Sequence, residues 1–312
     1  MPEPLPNEWV TNLTAEFASR KPSRAGSLIT TVFGDAVAPR GGTLWLGSLL
    51  PLLHAFGIND SQARTAMSRL TDDKWFVAER RGRKSFYTLT RSGRGRFDAA
   101  TRRIYSSAPP AWSGAFCLVI TPGGASAWRD QLRKELGWIG FGSLASGVLI
   151  HPDPDGAALE EVLSKVSPTA SRPIIIRGGG DPAASATSLS RLVDDCWALQ
   201  DLAHDYDDFV ARFGALGRAL NNGAELSAWE CMLARIMLIH DYRRIILRDP
   251  LLPAELLPQD WAGTQARRLA RHFYGQVVTL SEQWISDHFE RGDSSLPPPE
   301  GAFWQRFGGL TQ

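Results

Sequence analysis

The chain has 312 residues, of which 43% are hydrophobic and 21% charged, and its formal net charge is only +1. One hydrophobic core rarely grows to that length, so two or three globular domains are expected, and the composition excludes a disordered chain. A membrane-spanning helix is excluded as well, because it needs roughly twenty apolar residues in a row, and the longest unbroken run is Ala115 to Ile120.

The N-terminal stretch carries Glu3, Glu8 and Glu16 among early prolines, without the apolar segment a secretory leader needs, so Met1 to about Ser23 is expected as a loose tail. Cys117, Cys196 and Cys231 lie among apolar neighbours and lack Cys-x-x-Cys spacing. That pattern predicts reduced, buried thiols, no zinc and a cytoplasmic protein.

From Gly26 to Val37 apolar residues recur at Leu28, Ile29, Val32, Phe33 and Ala36, the spacing of one helix face, and Pro39 with Gly41-Gly42 ends the run. A second helix is expected from Trp45 to Phe56, in which Pro51 either makes a kink or marks the true first turn, closed by Gly57 in a left-handed cap. Asp60 can cap a third, which runs to about Asp73. Two strands, Phe76 to Arg80 and Ser85 to Thr90, flank Arg81-Gly82-Arg83-Lys84, whose glycine supplies the positive φ of a tight hairpin turn. Helix, turn, helix and hairpin in that order read as a winged helix-turn-helix over 24–108.

Charge concentrates in the same place. Between Asn59 and Arg103 twelve Lys and Arg face five acids, a net of +7, so the rest of the chain sums to −6. A segment of that kind beside an element shaped for a groove is a candidate to bind polyanions. On a helical wheel Ala63, Ala66, Met67 and Leu70 gather on one side, while Ser61, Thr65 and Ser68 lie opposite, flanked by Arg64 and Arg69. Hydroxyls and guanidinium forks suit base edges and phosphates. The alternative is a solvated polar face, which more often carries Glu/Lys pairs. Arg80, Arg81, Arg83 and Lys84 at the hairpin would add affinity for phosphates rather than sequence choice.

Ser106 to Pro110 and Arg177 to Pro182 are rich in Pro and Gly and mark domain boundaries. Between them lie strand Phe116 to Thr121, helix Ser126 to Leu136, strands around Phe141 to Ser143 and Val148 to His151, helix Ala157 to Val166 and strand Pro173 to Arg177. This is βαββαβ, the ferredoxin-like order, over 109–180. The remaining 181–312 reads as all helical. Leu192, Cys196, Leu199, Ala203, Tyr206, Val210 and Phe213 alternate four- and three-residue steps before Gly214, expected as a stop. Ser227 and Glu230 form a capping box for a second helix, ended by Asp249-Pro250, and a last long helix runs from about Trp261 to Glu290. The fold class expected is therefore α+β and multidomain.

The stretches Ser27-Leu28-Ile29, Phe33-Gly34-Asp35, Pro39-Arg40-Gly41-Gly42 and Trp45-Leu46-Gly47-Ser48-Leu49 resemble the phenylacetic acid degradation operon repressors, the PaaX-like family. Ser68-Arg69-Leu70, Gly82-Arg83, Gly137-Trp138-Ile139-Gly140-Phe141-Gly142, His240, Arg243-Arg244, Arg248-Asp249-Pro250 and Trp261 continue the resemblance over most of the chain. Ala262, where the family pattern has proline, and His272-Phe273-Tyr274 depart from it. The resemblance implies a cytoplasmic, homodimeric repressor of aromatic-acid catabolic genes. It would be released from a double-stranded DNA operator by an aryl-coenzyme A thioester, with no cofactor, no metal, no membrane and no enzymatic activity. It also implies a helical C-terminal effector and dimerisation domain. On it, Arg243, Arg244 and Arg248, with Arg267, Arg268 and Arg271 on the next helix, could bind coenzyme A phosphates, Trp229, Trp261 or Phe273 could line an apolar slot for the aryl group, and His240 belongs to the family signature. Pairing of these arginines with the Asp-rich helix near Asp205 is the competing reading.

Two other chemistries have partial motifs in the chain. A nuclease of the ferredoxin-like kind needs an acid at the end of the first strand, where Thr121-Pro122 stands. His204-Asp205 and His240-Asp241 are the dyads a metal-dependent hydrolase of coenzyme A esters or nucleotides would use, but packing and a solvated acidic face also explain them. Gly178-Gly179-Gly180 lacks a P-loop lysine and reads as a linker.

Overall fold

Apolar stripes decide which face of each element turns inward, and in the computed structural model the chain divides into two units. Residues 6–19, 24–108, 111–121, 127–166, 172–179, 186–292 and 294–310 are described. The expected linker residues Gly180-Asp181-Pro182, the helix start at Ser126, and Pro122 lie outside them. The first unit gathers Met1–Ser107, Asp208–Arg244 and Gln265–Gln312; the second gathers Ala108–Asp207 and Ile245–Thr264. Compactness thus groups the first hundred residues with much of the expected C-terminal module.

The segment expected as a loose tail is a helix, α1 (Pro6–Ser19), and its Val10, Leu13 and Phe17 are buried. Their spacing is the helix stripe that the surrounding Pro and Glu obscured. Next come α2 (Ala25–Val32), one wide π turn (Phe33–Val37) and a short 3-10 turn. The strand β1 (Thr43–Trp45) precedes α3 (Leu46–Ala55), so Trp45 closes a strand rather than opening a helix. Helix α3 keeps Pro51 and ends as expected, with Gly57 at φ 70° and Ile58 N–H donating to Leu53 O at 3.0 Å. Helix α4 (Asp60–Asp72) is capped by Asn59, not Asp60. Asn59 Oδ1 accepts from Gln62 N–H and Gln62 Oε1 from Asn59 N–H, both at 2.9 Å. The carboxylate of Asp60 bonds His54 instead.

Strands β2 (Phe76–Arg81) and β3 (Lys84–Leu89) form the hairpin, and the sheet order is β1-β3-β2, all antiparallel. A helix missed in the sequence follows, α5 (Arg91–Ile104), capped by the Thr90 hydroxyl on Gly93 N–H at 2.8 Å. Its interior glycines and five arginines hid the Phe97 and Ile104 stripe.

The second unit carries β4 (Ala115–Ile120), α6 (Ala127–Trp138), β5 (Gly142–Ala145), β6 (Val148–His151), α7 (Gly156–Val166) and β7 (Ile174–Gly179). The antiparallel order β5-β6-β4-β7 puts the chain's first and third strands of this unit at the centre. Cys117, Val119 and Leu149 pack under Leu132, Leu136, Leu159 and Leu163 of the two helices. Gly178 and Gly179 are strand residues opposite Phe116 and Ala115, not linker.

Helix α8 (Ala186–Cys196) and helix α9 (Leu199–Asn221) are separated at Trp197, whose indole N–H donates to Gly140 O at 3.0 Å. A Cβ at Gly142 would stand 2.6 Å from that indole, so glycine is what lets the ring approach there. Gly214 does not stop α9. Helices tolerate interior glycine at about 1 kcal/mol, and the next glycine, Gly217, lets Leu269 and Phe273 approach closely. Helix α10 (Ala228–Ile246) starts at the Ser227–Glu230 capping box, and α11 (Ala262–His288) is the long last helix. A final 3-10 segment (Gly301–Gly308) was not expected.

In the first unit a buried charge network fastens the early elements to the late ones. Asp35, in the π turn, accepts from Tyr105 Oη at 2.6 Å, Tyr274 Oη at 2.8 Å, Arg306 at 2.9 Å and Arg235 Nε at 2.6 Å. Arg235 also donates to Ser281 Oγ at 3.0 Å and Glu282 at 2.6 Å. The other oxygen of Glu282 takes Arg40, which donates to Pro297 O at 2.6 Å as well. Arg306 lies 3.9 Å from the Tyr105 ring centroid, so aromatic faces offset the third guanidinium, which lacks a carboxylate of its own to match it. Burial alone would raise the Asp35 carboxyl, but Arg235 and Arg306, helped by the two tyrosine hydroxyls, hold it below the usual carboxylate range.

Breaking one partner of such a group leaves buried charge uncompensated, so Asp35→Asn is expected to cost about 3–5 kcal/mol in urea unfolding. Because the folded carboxyl ionises more readily than the unfolded one, its contribution is complete above about pH 4 and fades as pH falls below that. The gap between wild type and Asp35→Asn should therefore narrow in acid; a gap independent of pH would contradict an ionised Asp35.

Candidate nucleic-acid interface

Helix α4 turns Ala63, Ala66 and Met67 into the core, and that choice of face sends Ser61, Arg64, Thr65, Ser68 and Arg69 outward, where all five are exposed. The Gly57-Ile58-Asn59 turn after α3 and the Asn59 capping box fix where the helix begins. A groove of about 400 Å³ runs between this face and the first turn of α2, lined by Ala25, Gly26, Ser61, Thr65, Arg69 and Asp73.

The hairpin turns at Gly82, φ 60°, in the first central position, the place a type II′ turn reserves for glycine. Of its cations, Arg81 binds both oxygens of Glu79 at 2.8 and 2.9 Å. Lys84 reaches Glu290 at 2.7 Å and sits 4.3 Å from the Trp45 ring centroid. Among the described residues Arg69 and Arg83 have no carboxylate partner, and Arg64 is a loose 3.9 Å from Asp60. Arg94 and Arg96 are structural: they donate to Gly41 O at 3.0 Å and Asp73 O at 3.3 Å.

The residues expected to hold an effector divide between the units. In the first, His240 is fully buried, its Nδ1 3.0 Å from Thr31 Oγ1 and its ring edge-on to Phe17. Arg243 donates to Thr31 Oγ1 at 2.7 Å and to the Ser27 hydroxyl at 2.7 Å, and Arg244 is exposed. Burial, then the neighbouring Arg244, lowers Arg243 to about 10. In the second unit Trp261 is buried against Tyr206, and Arg248 pairs with Asp205 at 2.5 Å, the competing reading named from the sequence. Asp249 accepts from Tyr206 Oη at 2.6 Å, so much of the Arg-Asp-Pro signature is local scaffolding. Among the described residues no three His, Cys, Asp or Glu side chains are grouped to hold a metal, and no helix is long and apolar enough to cross a membrane.

What the sequence missed are Arg235, Glu282, Arg306 and Glu290. A signal for the first existed: Arg235 interrupts a run, Cys231 to Ile239, in which every residue is buried.

Three family models tile this chain. The PaaX-like protein model matches residues 24–93, the PaaX protein central Cas2-like domain 109–177 and the PaaX-like protein C-terminal domain 197–287. The transcriptional repressor PaaX of Escherichia coli (strain K12) is 36% identical over 291 residues, 93% of this chain and 92% of that protein. The chain belongs to the PaaX-like family. A solved structure, the uncharacterized protein Rv0674 from Mycobacterium tuberculosis, shares the fold with a TM-score of 0.53 at 23% identity, covering 82% of this chain and 96% of that one.

Because the Asn59 box satisfies two donors at the start of α4, Asn59→Ala is expected to cost about 1 kcal/mol. Thermal or urea unfolding reads this directly, and an unchanged midpoint would mean the cap carries nothing.

Proposed function

We propose that this protein is a DNA-binding transcriptional repressor of aromatic-acid catabolic genes of the phenylacetate type, a regulator and not an enzyme. The observation that carries the DNA reading is the uncovered face of α4, where hydroxyls and two guanidinium groups stand beside a basic hairpin. Identity over nearly the whole chain with a transcriptional repressor supports repression. In this reading β1, the β2–β3 hairpin and helices α2 to α4 are a winged helix-turn-helix with α4 in the major groove. The four-stranded unit is ferredoxin-like, in keeping with its sheet order and the Cas2-like match. The helices from α8 onward act as an effector and dimerisation module. A homodimer would meet half-sites roughly 34 Å apart on an inverted repeat.

The effector in this proposal is an aryl-coenzyme A thioester, phenylacetyl-coenzyme A or a close relative. Arg243 supports a route for it. That guanidinium is largely buried, has no carboxylate partner among the described residues, and is bonded to Ser27 and Thr31 of α2, the helix that shares a groove with α4. A polyphosphate drawn to Arg243 and Arg244 would pull on α2 and so shift the population of reading-competent protein.

The deciding experiment is a salt-resolved mobility shift on DNA upstream of neighbouring genes, with and without phenylacetyl-coenzyme A. Arg83→Ala should weaken binding to every duplex alike and reduce the salt slope by about 0.9, one phosphate contact. Thr65→Ala should instead change which sequence is preferred; an Arg83→Ala defect restricted to one sequence would contradict the phosphate role. For the effector, Arg244→Ala should raise the phenylacetyl-coenzyme A concentration needed for release about tenfold, the loss of a charge-assisted phosphate contact. Release at an unchanged concentration would remove Arg244 from the site.

A further inference from the structure

Glu290 comes from beyond the last long helix, yet it lies against the root of the hairpin. Its backbone is pinned there: Glu290 O accepts from Trp45 N–H at 2.8 Å, its own N–H donates to Ser48 Oγ at 3.3 Å, and it forms a β-bridge with Ser295. The preceding residue, Phe289, is fully buried. The main-chain anchors place the root of this part-exposed carboxylate beside the hairpin. Lys84 is the group it faces, at 2.7 Å, with the Trp45 ring beneath the ammonium. Gly47 makes room for that indole, since a Cβ there would lie 2.2 Å from it. Glu79 occupies Arg81 in the same manner on the neighbouring strand.

We infer that Glu290 is a built-in charge brake on the hairpin: it occupies Lys84 and lowers the protein's affinity for the phosphate backbone of any DNA duplex. The inference rests on the DNA reading above and adds a residue to it. The physical reason for such a brake is selectivity. Phosphate contacts strengthen binding to all sequences alike, and a regulator has to find few sites among very many, so surplus backbone affinity is a cost. With Arg81 and Lys84 each facing a carboxylate of its own chain, Arg80 and Arg83 are the hairpin cations left to set that affinity.

The test uses the full chain, wild type against Glu290→Gln, which keeps the backbone anchors and the side-chain shape. Binding is measured over a salt series to a random-sequence duplex and to the upstream DNA. Release of one cation predicts affinity about three- to tenfold tighter on both duplexes and a salt slope steeper by about 0.9. In a Lys84→Ala background the same substitution should add nothing. Equal affinity and slope, or weaker binding by Glu290→Gln, with wild type still binding, overturns the brake alone. Wild type that binds neither duplex overturns the DNA reading beneath it.

Discussion

A single carboxylate, Asp35, organises the first unit. It is fully enclosed and takes two guanidinium groups and two phenol hydroxyls, so each partner is held by a charge that has no water to retreat to. Two of those partners come from α10 and the chain end, Arg235 and Arg306, and a third, Tyr274, from α11. The contact joins residues 200 and 271 positions apart. Glu282 extends it to Arg40 at the close of the 3-10 turn. Buried ion networks gain little over apolar packing of equal volume, yet they tolerate only one arrangement, because every alternative strands a charge. Here the arrangement fixed is that of α2 and its π turn against α10 and α11.

That bracing bears on the candidate interface through α2. The helix is fastened just beyond its far end by Asp35 and along its length by Arg243 on Ser27 and Thr31. Its first turn forms one wall of the groove whose other wall is the exposed face of α4. The late part of the chain is therefore integral to the first unit. Glu290 at the hairpin root and Glu300 N–H on Pro39 O at 2.8 Å are further fastenings of the same kind. A displacement of α10 or α11 would therefore act on the α2–α4 groove within the first unit, without passing through the four-stranded sheet.

Local pattern carried much of this. The inward stripe of α4 and its outward hydroxyls, the glycine at the hairpin turn, the Ser227–Glu230 box and the β-α-β-β-α-β order follow from side-chain period and turn chemistry, which act within a few residues. Composition masks a weak stripe in α1 and α5, and a glycine that looks like punctuation lies inside a helix or a strand, as at Gly214 and Gly178. At the cap, Asn59 and Asp60 were both able to serve; the Gln62 side chain decided it by returning the bond to Asn59.

The sequence by itself determined where the positive charge lies, which face of α4 is polar, and the kinds and order of most elements, because these depend on neighbours three or four residues away. Only the tertiary structure decided which of those charges remain available. Arg94 and Arg96 each lend a donor to a backbone carbonyl, and Lys84 meets a carboxylate 206 positions later. Ion pairs form by proximity in space, and no periodicity along the chain encodes a partner that distant.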